Sequence, residues 1–265
     1  MNKGLFAAAA LIVSGAILAM NGSAKAAPPA PSWSGWYIGI NGGGVWGRTH
    51  PTVADIGPDN FFAIGNVPAV LGNGSRPFHN SGGLAGGQIG YLTQIGWAVL
   101  GAELSVNWMG LDGSTSNGPT VYPVTAPAAF SWNLHAKSDF LATFLGRVGY
   151  DMGGWYPYFT GGLAVAHLKY TATYIDTFYP SVSTNSFEQS RVGFAIGGGV
   201  EWRFAAHWLV RGEYLYMTFD DVNGNGRIAC TAGVAPCAAP ANVTTFAFHE
   251  RFNESVGRVA VSYQW

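Results

Sequence analysis

Charge is what this sequence has least of. Only 10% of its 265 residues are Asp, Glu, Lys or Arg, against about a quarter in an ordinary soluble domain. A chain of this length needs more charge than that to cover a water-facing surface. Cysteine is almost absent too. Cys230 and Cys237 are the only two, which excludes a disulfide-dense scaffold and falls short of the four ligands of a structural zinc site. No segment after the N-terminus offers the ~20 unbroken apolar residues of a membrane helix. A net charge of −1 gives no electrostatic footprint for nucleic acid. Yet 48% of the residues are hydrophobic, 14% are aromatic and 38 are glycine. Low charge without membrane helices leaves the other structure that satisfies its own backbone inside a bilayer, a closed β-barrel.

The N-terminus reads as an export signal. Lys3 precedes an apolar run from Leu5 to Met20, and Ala24-Lys25-Ala26 matches the A-x-A cleavage pattern. The expected organisation is a signal peptide over 1–26, a short lead over 27–32 and one barrel domain over 33–265. Loss of Lys3 and Lys25 takes the formal charge to −3. Export to an oxidising compartment makes Cys230 and Cys237, close together in a Gly/Pro-rich stretch, a loop-stapling disulfide.

The patterning supports strands. In 191–204, Val192, Phe194, Ile196, Val200, Trp202 and Phe204 alternate with Arg191, Gly193, Ala195, Gly197, Gly199, Glu201 and Arg203. Period two means a strand with two unlike faces. The same alternation recurs in 35–47, 82–94, 97–108, 137–151, 155–170, 208–219 and 254–265, which makes eight strands. Short links near 95–96, 152–154 and 205–207 alternate with long ones at about 48–81, 109–136, 171–189 and 220–253. Outer-membrane barrels have short periplasmic turns, long extracellular loops and even strand counts from eight upward. Trp36, Trp46, Trp97, Trp108, Tyr150, Trp155, Trp202, Trp208 and Trp265 sit near strand ends, as interfacial girdles do. The expected fold is therefore all-β: an eight-stranded antiparallel up-and-down transmembrane β-barrel with four long extracellular loops, its aromatic and aliphatic faces in lipid.

That assignment puts the charged faces inside. The candidate interior network is Glu103, Arg147, Glu201, Arg203, Arg211, Glu213 and Arg258, with Arg211 or Arg258 as the partner of Glu201. Buried charges are retained when paired and hydrogen-bonded. An eight-stranded barrel is only just wide enough for its own side chains, so the small residues make room for the long Arg and Glu side chains.

"WSGWYIGINGGGVWG", "GGQIGYLTQ", "GRVGYDMGGWYPYFTGGLA", "GGGVEWRFAAHWLVRGEYLY" and the ending "GRVAVSYQW" together resemble the porin-like outer-membrane β-barrel family of alphaproteobacteria, related in architecture to the OmpA-like transmembrane barrels. The resemblance covers nearly all the chain after the signal, except the long loops. It implies location in the outer membrane of a Gram-negative bacterium. It also implies that the last strand, with Tyr263 and Trp265, is the signal read by the barrel-assembly machinery.

Other motifs point nowhere. Gly42 to Gly47 matches G-x-G-x-x-G, but no helix pattern follows it. Asp221, Asn223 and Asn225 match half a calcium loop, but Ala232 stands where the bidentate Glu belongs; a turn of Asn-Gly steps is the plainer reading. The six histidines show no metal-ligand spacing, so no metal, cofactor or catalytic residue is assigned. For a lipid-modifying enzyme, only His135 and His167, with Ser131 or Ser138 nearby, come into question, and no spacing specifies a triad. The expected role is structural and surface-interacting, with lipid, lipopolysaccharide, and host or cell-surface ligands at the loops as partners. The alternative is a narrow pore for small solutes, which an eight-stranded interior resists.

Overall fold

Alternation of side chains across a strand fixes which residues share a face, so the lipid-facing pattern can be followed residue by residue. In the computed structural model, which describes residues 32–57, 61–230, 233, 237 and 242–265, the chain forms β1 (Gly35–Asp55), β2 (Phe78–Ile95), β3 (Ala98–Val121), β4 (Ala129–Tyr150), β5 (Trp155–Asp176), β6 (Ser181–Arg203), β7 (Trp208–Phe219), β8 (Val222–Ala229) and β9 (Val243–Gln264). The export segment and its cleavage site lie outside the described residues, as does all of the lead but Ser32. Each strand pairs antiparallel with its neighbour, and β1 pairs with β9 from Tyr37↔Gln264 to Asp55↔Phe246, which closes the sheet. β7 and β8 pair with successive stretches of β9 and share one position, so the ring has eight positions.

The outward residues divide the ring into two zones. Below, β6 exposes Phe194 and Ile196 while Ala195 is buried, and the other strands present Ile38, Ile40, Leu104, Phe144, Phe159 and Val259 in the same way. Trp36 and Trp46 bound this band on β1. Ten residues of strand rise about 33 Å, or about 25 Å along the axis at ~40° tilt, the height of a bilayer's apolar core. Trp155 stacks on Trp202 at 5.3 Å and Trp97 lies 5.5 Å from Tyr150 along the lower edge. Above the band the polarity reverses. On β5, Leu168, Tyr170, Ala172 and Tyr174 turn inward and are buried, while Lys169, Thr171 and Thr173 turn outward. There the barrel meets water, and it is built like a soluble sheet with an apolar core.

This reversal corrects the expected loops. Most of 109–136, 171–189 and 220–253 is strand, and 48–81 is strand at both ends; the upper connections are only 56–77, 122–128, 177–180 and 230–242. A pattern sought as apolar-out misses strands that are apolar-in. In β4 a bulge between Ser138 and Phe140 also changes parity: Leu141 and Thr143 point inward below it, and Ser138, Ala136, Leu134 and Trp132 above. The Asn-Gly steps at 223–226 are likewise strand, in β8, not a turn, and Asp221, Asn223 and Asn225 do not converge as calcium ligands would.

The upper core gathers Phe130, Trp132, Tyr174, Phe246, Phe248 and Phe252. Helix α1 (Val67–Gly74), opened by a proline, packs onto it. The Trp132 Nε1–H donates to the Val70 carbonyl at 3.1 Å, and a Cβ on Gly74 would stand 3.2 Å from the Trp132 ring. Two seams in this half are not zipped. β2 stops at Phe78, so β1 above Thr49 and β3 above Asp112 have no ladder between them, and the Val53 N–H donates instead to Ser75 Oγ at the end of α1 (3.0 Å). Above Gly193, β6 has no ladder with β8; the two are joined by Gln189 Nε2 donating to the Asn223 carbonyl (2.9 Å) and the Arg227 N–H donating to Asn185 Oδ1 (3.1 Å). Phe187 fills the space left by Gly224.

Ile196→Arg places a charge in the lipid band and is expected to cost about 2–4 kcal/mol, read by urea unfolding in lipid vesicles and relieved in thinner bilayers. Ala195→Arg should fail by overfilling the interior, without that dependence on thickness. Oxygen accessibility of spin labels along 192–200 should peak at even positions; a peak at odd positions would reverse the assignment.

Candidate functional site

The lower interior is polar because the inward faces of several strands bring their few charges to one height. Glu103 on β3 is the hub. It accepts from Arg211 (2.7 and 3.1 Å), from Arg258 (3.1 Å) and from the Tyr37 hydroxyl (2.8 Å), and it pairs closely with Arg147. Glu213 accepts from its cross-strand partner Arg258 (2.6 Å) and from the Tyr158 hydroxyl (2.6 Å). Glu201 pairs with Arg147 at 3.4 Å and with its cross-strand partner Arg211 at 3.7 Å, not with Arg258. The Arg147 guanidinium also lies 4.9 Å from the centre of the Tyr158 ring, a cation–π contact. Three carboxylates face three guanidiniums, all buried, so the layer is neutral. Asn41, Gln88 and Ser262 continue it as a chain of hydrogen bonds.

Arg203 stands apart from these six. It lies at the lower rim, where it donates to the Ser32 carbonyl (3.1 Å) and to Gln264 Oε1 and stacks over Trp33 at 4.8 Å. The strand's last residue is too low to reach the layer. The tryptophan it covers went unnoticed in the sequence. Trp33, buried, donates from Nε1 to Asp151 (2.9 Å) and packs on Tyr156 at 5.4 Å, so an aromatic floor of Trp33, Tyr37, Tyr156 and Tyr158 underlies the charges. The inward glycines make room for tyrosine more than for Arg or Glu: a Cβ on Gly90 would overlap the Tyr37 hydroxyl, and one on Gly199 would lie 2.7 Å from that of Tyr158.

Outside, just above the lipid band, Asp112, Lys137, Lys169 and Glu188 stand in one row across four strands. His135 bonds Asp112 at 3.1 Å. His167 lies 2.9 Å from Glu188 and 3.2 Å from Ser190. The His167 hydrogen bond, then that of Lys169, holds the exposed Glu188 carboxyl below its usual range. Ser131 and Ser138 pair with neither histidine; the Ser138 hydroxyl donates to the His167 carbonyl. The Ser190–His167–Glu188 trio was hidden because Glu188 falls within 171–189, which read as loop. Thr171–Ser186 and Thr173–Thr184, each 3.0 Å, continue the same column, so the trio is one step of an outward polar ladder. Cys230 and Cys237 form a disulfide in the upper connection between β8 and β9. Tyr263 and Trp265 lie on the lipid face, with Trp208 against Tyr263 at 5.4 Å.

This architecture agrees with sequence comparison, in which the model of the outer membrane protein beta-barrel domain matches residues 8–233. The chain belongs to that family. This outer-membrane barrel is 30% identical over 200 residues, 73% of this chain and 75% of the relative, to the 31 kDa outer-membrane immunogenic protein of Brucella melitensis. It is 28% identical over 193 residues, 72% of this chain and 66% of the relative, to the 22 kDa outer membrane protein of Rhizobium leguminosarum. Among solved structures it resembles Ail, the attachment invasion locus protein of Yersinia pestis, at 10% identity and a TM-score of 0.32, covering 85% of this chain and 99% of that one. The barrel is an integral protein of the Gram-negative outer membrane, embedded in its lipids.

Glu103→Ala takes the shared carboxylate from three guanidiniums at once and leaves three positive charges against two carboxylates, which should cost about 3–5 kcal/mol; Glu201→Ala, with longer contacts, should cost less. Urea unfolding in lipid vesicles compares them, and equal losses would remove Glu103 as the hub. Higher up, burial pushes the Glu250 carboxyl, beside Tyr170, well above the usual carboxylate range. A carboxyl with a raised folded-state pKa binds its proton more tightly when folded, so its stabilising contribution is complete in acid and is lost as pH rises. Glu250→Gln should therefore be more stable than the wild type near pH 9, with the gap closing toward about pH 5.

Proposed function

We propose that this barrel is a closed anchor that carries a structured platform above the outer membrane, with a structural and surface-interacting role. The observation that supports it most is the filled interior. An aromatic floor, a neutral layer of interlocked charges and an apolar core capped by α1 follow one another along the axis. Eight strands enclose little more than their own side chains, and here those side chains hold one another, which speaks against the narrow-pore alternative.

In this reading the signal peptide is removed after Ala26, the end with the short turns faces the periplasm, and the assembly machinery reads the strand ending in Tyr263 and Trp265. The aromatic band sits among outer-leaflet lipopolysaccharide, and the upper connections meet molecules outside the cell. In the same reading the chain acts without catalysis, and the Ser190–His167–Glu188 grouping is a step of the surface ladder.

Purified, refolded protein in planar bilayers should show no stable conductance steps, and regular single-channel steps would overturn the anchor reading. Protease added to intact cells should cut within 56–77 or 230–242. Cleavage at 151–154 or 204–207 alone would invert the topology.

A further inference from the structure

The upper tip is poor in cations. The stretches 56–75, 121–130, 171–187 and 228–248, which cover the upper connections apart from 76–77, and the strand ends beside them, contain no Lys, Arg or His; Arg76 is the one cation in those connections. Asp176 nevertheless lies buried there, at the end of β5, 4% exposed. Four neutral donors hold its carboxylate: the N–H groups of Phe178 (2.6 Å) and Tyr179 (2.8 Å) on one oxygen, and the hydroxyls of Tyr174 (2.8 Å) and Tyr122 on the other. Hydrogen bonds from neutral groups fix a carboxylate in place without cancelling its charge.

Beside it is a cavity of about 200 Å³ lined by Phe61, Phe62, Tyr122, Phe178 and Tyr179 together with Asp176. Three connections supply these rings. Phe61 and Phe62 come from the segment before α1, Tyr122 from the end of β3, and Phe178 and Tyr179 from the turn after β5. The rings brace one another: Phe61–Phe62 at 4.8 Å, Phe61–Tyr179 at 5.1 Å and Phe178–Tyr179 at 4.9 Å. Asn242 Nδ2 donates to the Tyr179 hydroxyl at 2.6 Å. A ring's face carries partial negative charge and attracts a cation, most strongly one without a tight hydration shell.

We propose that this cavity is a binding site for a small quaternary or alkylated ammonium group, with the aromatic rings as its walls and Asp176 as its counter-charge. That its ligand comes from outside the cell rests on the reading that this end of the barrel faces outward. One carboxylate is too few for a divalent metal, and among the described residues no group of His, Cys, Asp and Glu could hold one. A hydrated inorganic cation would lose its water against carbon. The volume lies below the ~300–1,000 Å³ of drug-sized pockets, so the ligand is a head group of a few carbons.

The test uses the full barrel refolded in octyl glucoside, which brings no ammonium group of its own. Saturation-transfer NMR and calorimetry with choline chloride should show binding, and 3,3-dimethylbutan-1-ol, its neutral isostere, should bind at least about tenfold more weakly. Asp176→Asn should erase that preference. Phe178→Leu, at a ring that is part-exposed and therefore tolerant, should weaken binding several-fold even if the Asp176 variant does not refold. Vesicles of phosphatidylcholine against phosphatidylglycerol tell a lipid head group from a free amine: retention on the former alone assigns the lipid, and binding only of free choline assigns the soluble amine. Equal binding of the neutral isostere, no binding at about 50 mM, or full affinity in Phe178→Leu would overturn the site. These results in micelles leave the topology untouched, whereas an inverted protease pattern on cells would overturn the outward orientation and leave the site standing.

Discussion

Glu103 can be kept in the middle of a narrow barrel only if guanidiniums from three other strands arrive at its height together. Arg147, Arg211 and Arg258 come from β4, β7 and β9, and Tyr37 from β1. A slip of one residue in any of these strands would send its charge into lipid. The layer thus ties the registers of distant strands to one another as well as to their neighbours. Its energetic worth relative to a well-packed apolar core is small or negative; what it supplies is intolerance of the wrong alignment. The aromatic floor and the tyrosine hydroxyls that complete the hydrogen bonding follow from that need, and so do the glycines opposite Tyr37 and Tyr158.

The second constraint is the solvent. The same strands pass from hydrocarbon to water partway along their length, and their sidedness changes with it. Below the level of Trp46 and Trp108 the outside is apolar and the centre is charged; above it the outside carries Thr, Ser, Lys and His and the centre carries rings. One continuous sheet is a membrane protein at one end and a water-soluble core at the other. The upper half can therefore hold side chains in fixed relation to one another well away from the bilayer, as loops of the same length could not without a core of their own.

How far the sequence could be read follows from that division. In 191–204 lipid-facing residues are large and inward ones small or charged, and the alternation marks the strand and sorts its faces. Most of the charge layer is legible for the same reason, since a Glu or Arg on the minor face of a lipid-facing strand has nowhere else to go. Arg203 has the right parity but the wrong height, and parity carries no height. Over 129–138 the alternation is just as regular, but Trp132, Leu134 and Ala136 are the inward set, and the bulge at Asp139 breaks the phase with the lower strand. The rings around Asp176 come from three segments far apart in the chain, and nothing local announces that they meet.

The open seams change what kind of object the upper half is. The lower half is a hoop, with every strand held on both sides. The upper half is two curved sheets, β3 to β6 and β8–β9–β1, which meet at one seam through the side chains of Gln189, Asn185 and Phe187 and at the other beside α1. A hoop has no first place to come apart, but a split ring does. Loosening of the platform would start along these lines and could spread to the core behind Phe187 and Phe248 while the membrane-embedded hoop stays shut. The barrel is thereby divided into a part that must be permanent and a part free to flex, without a hinge or a linker between them.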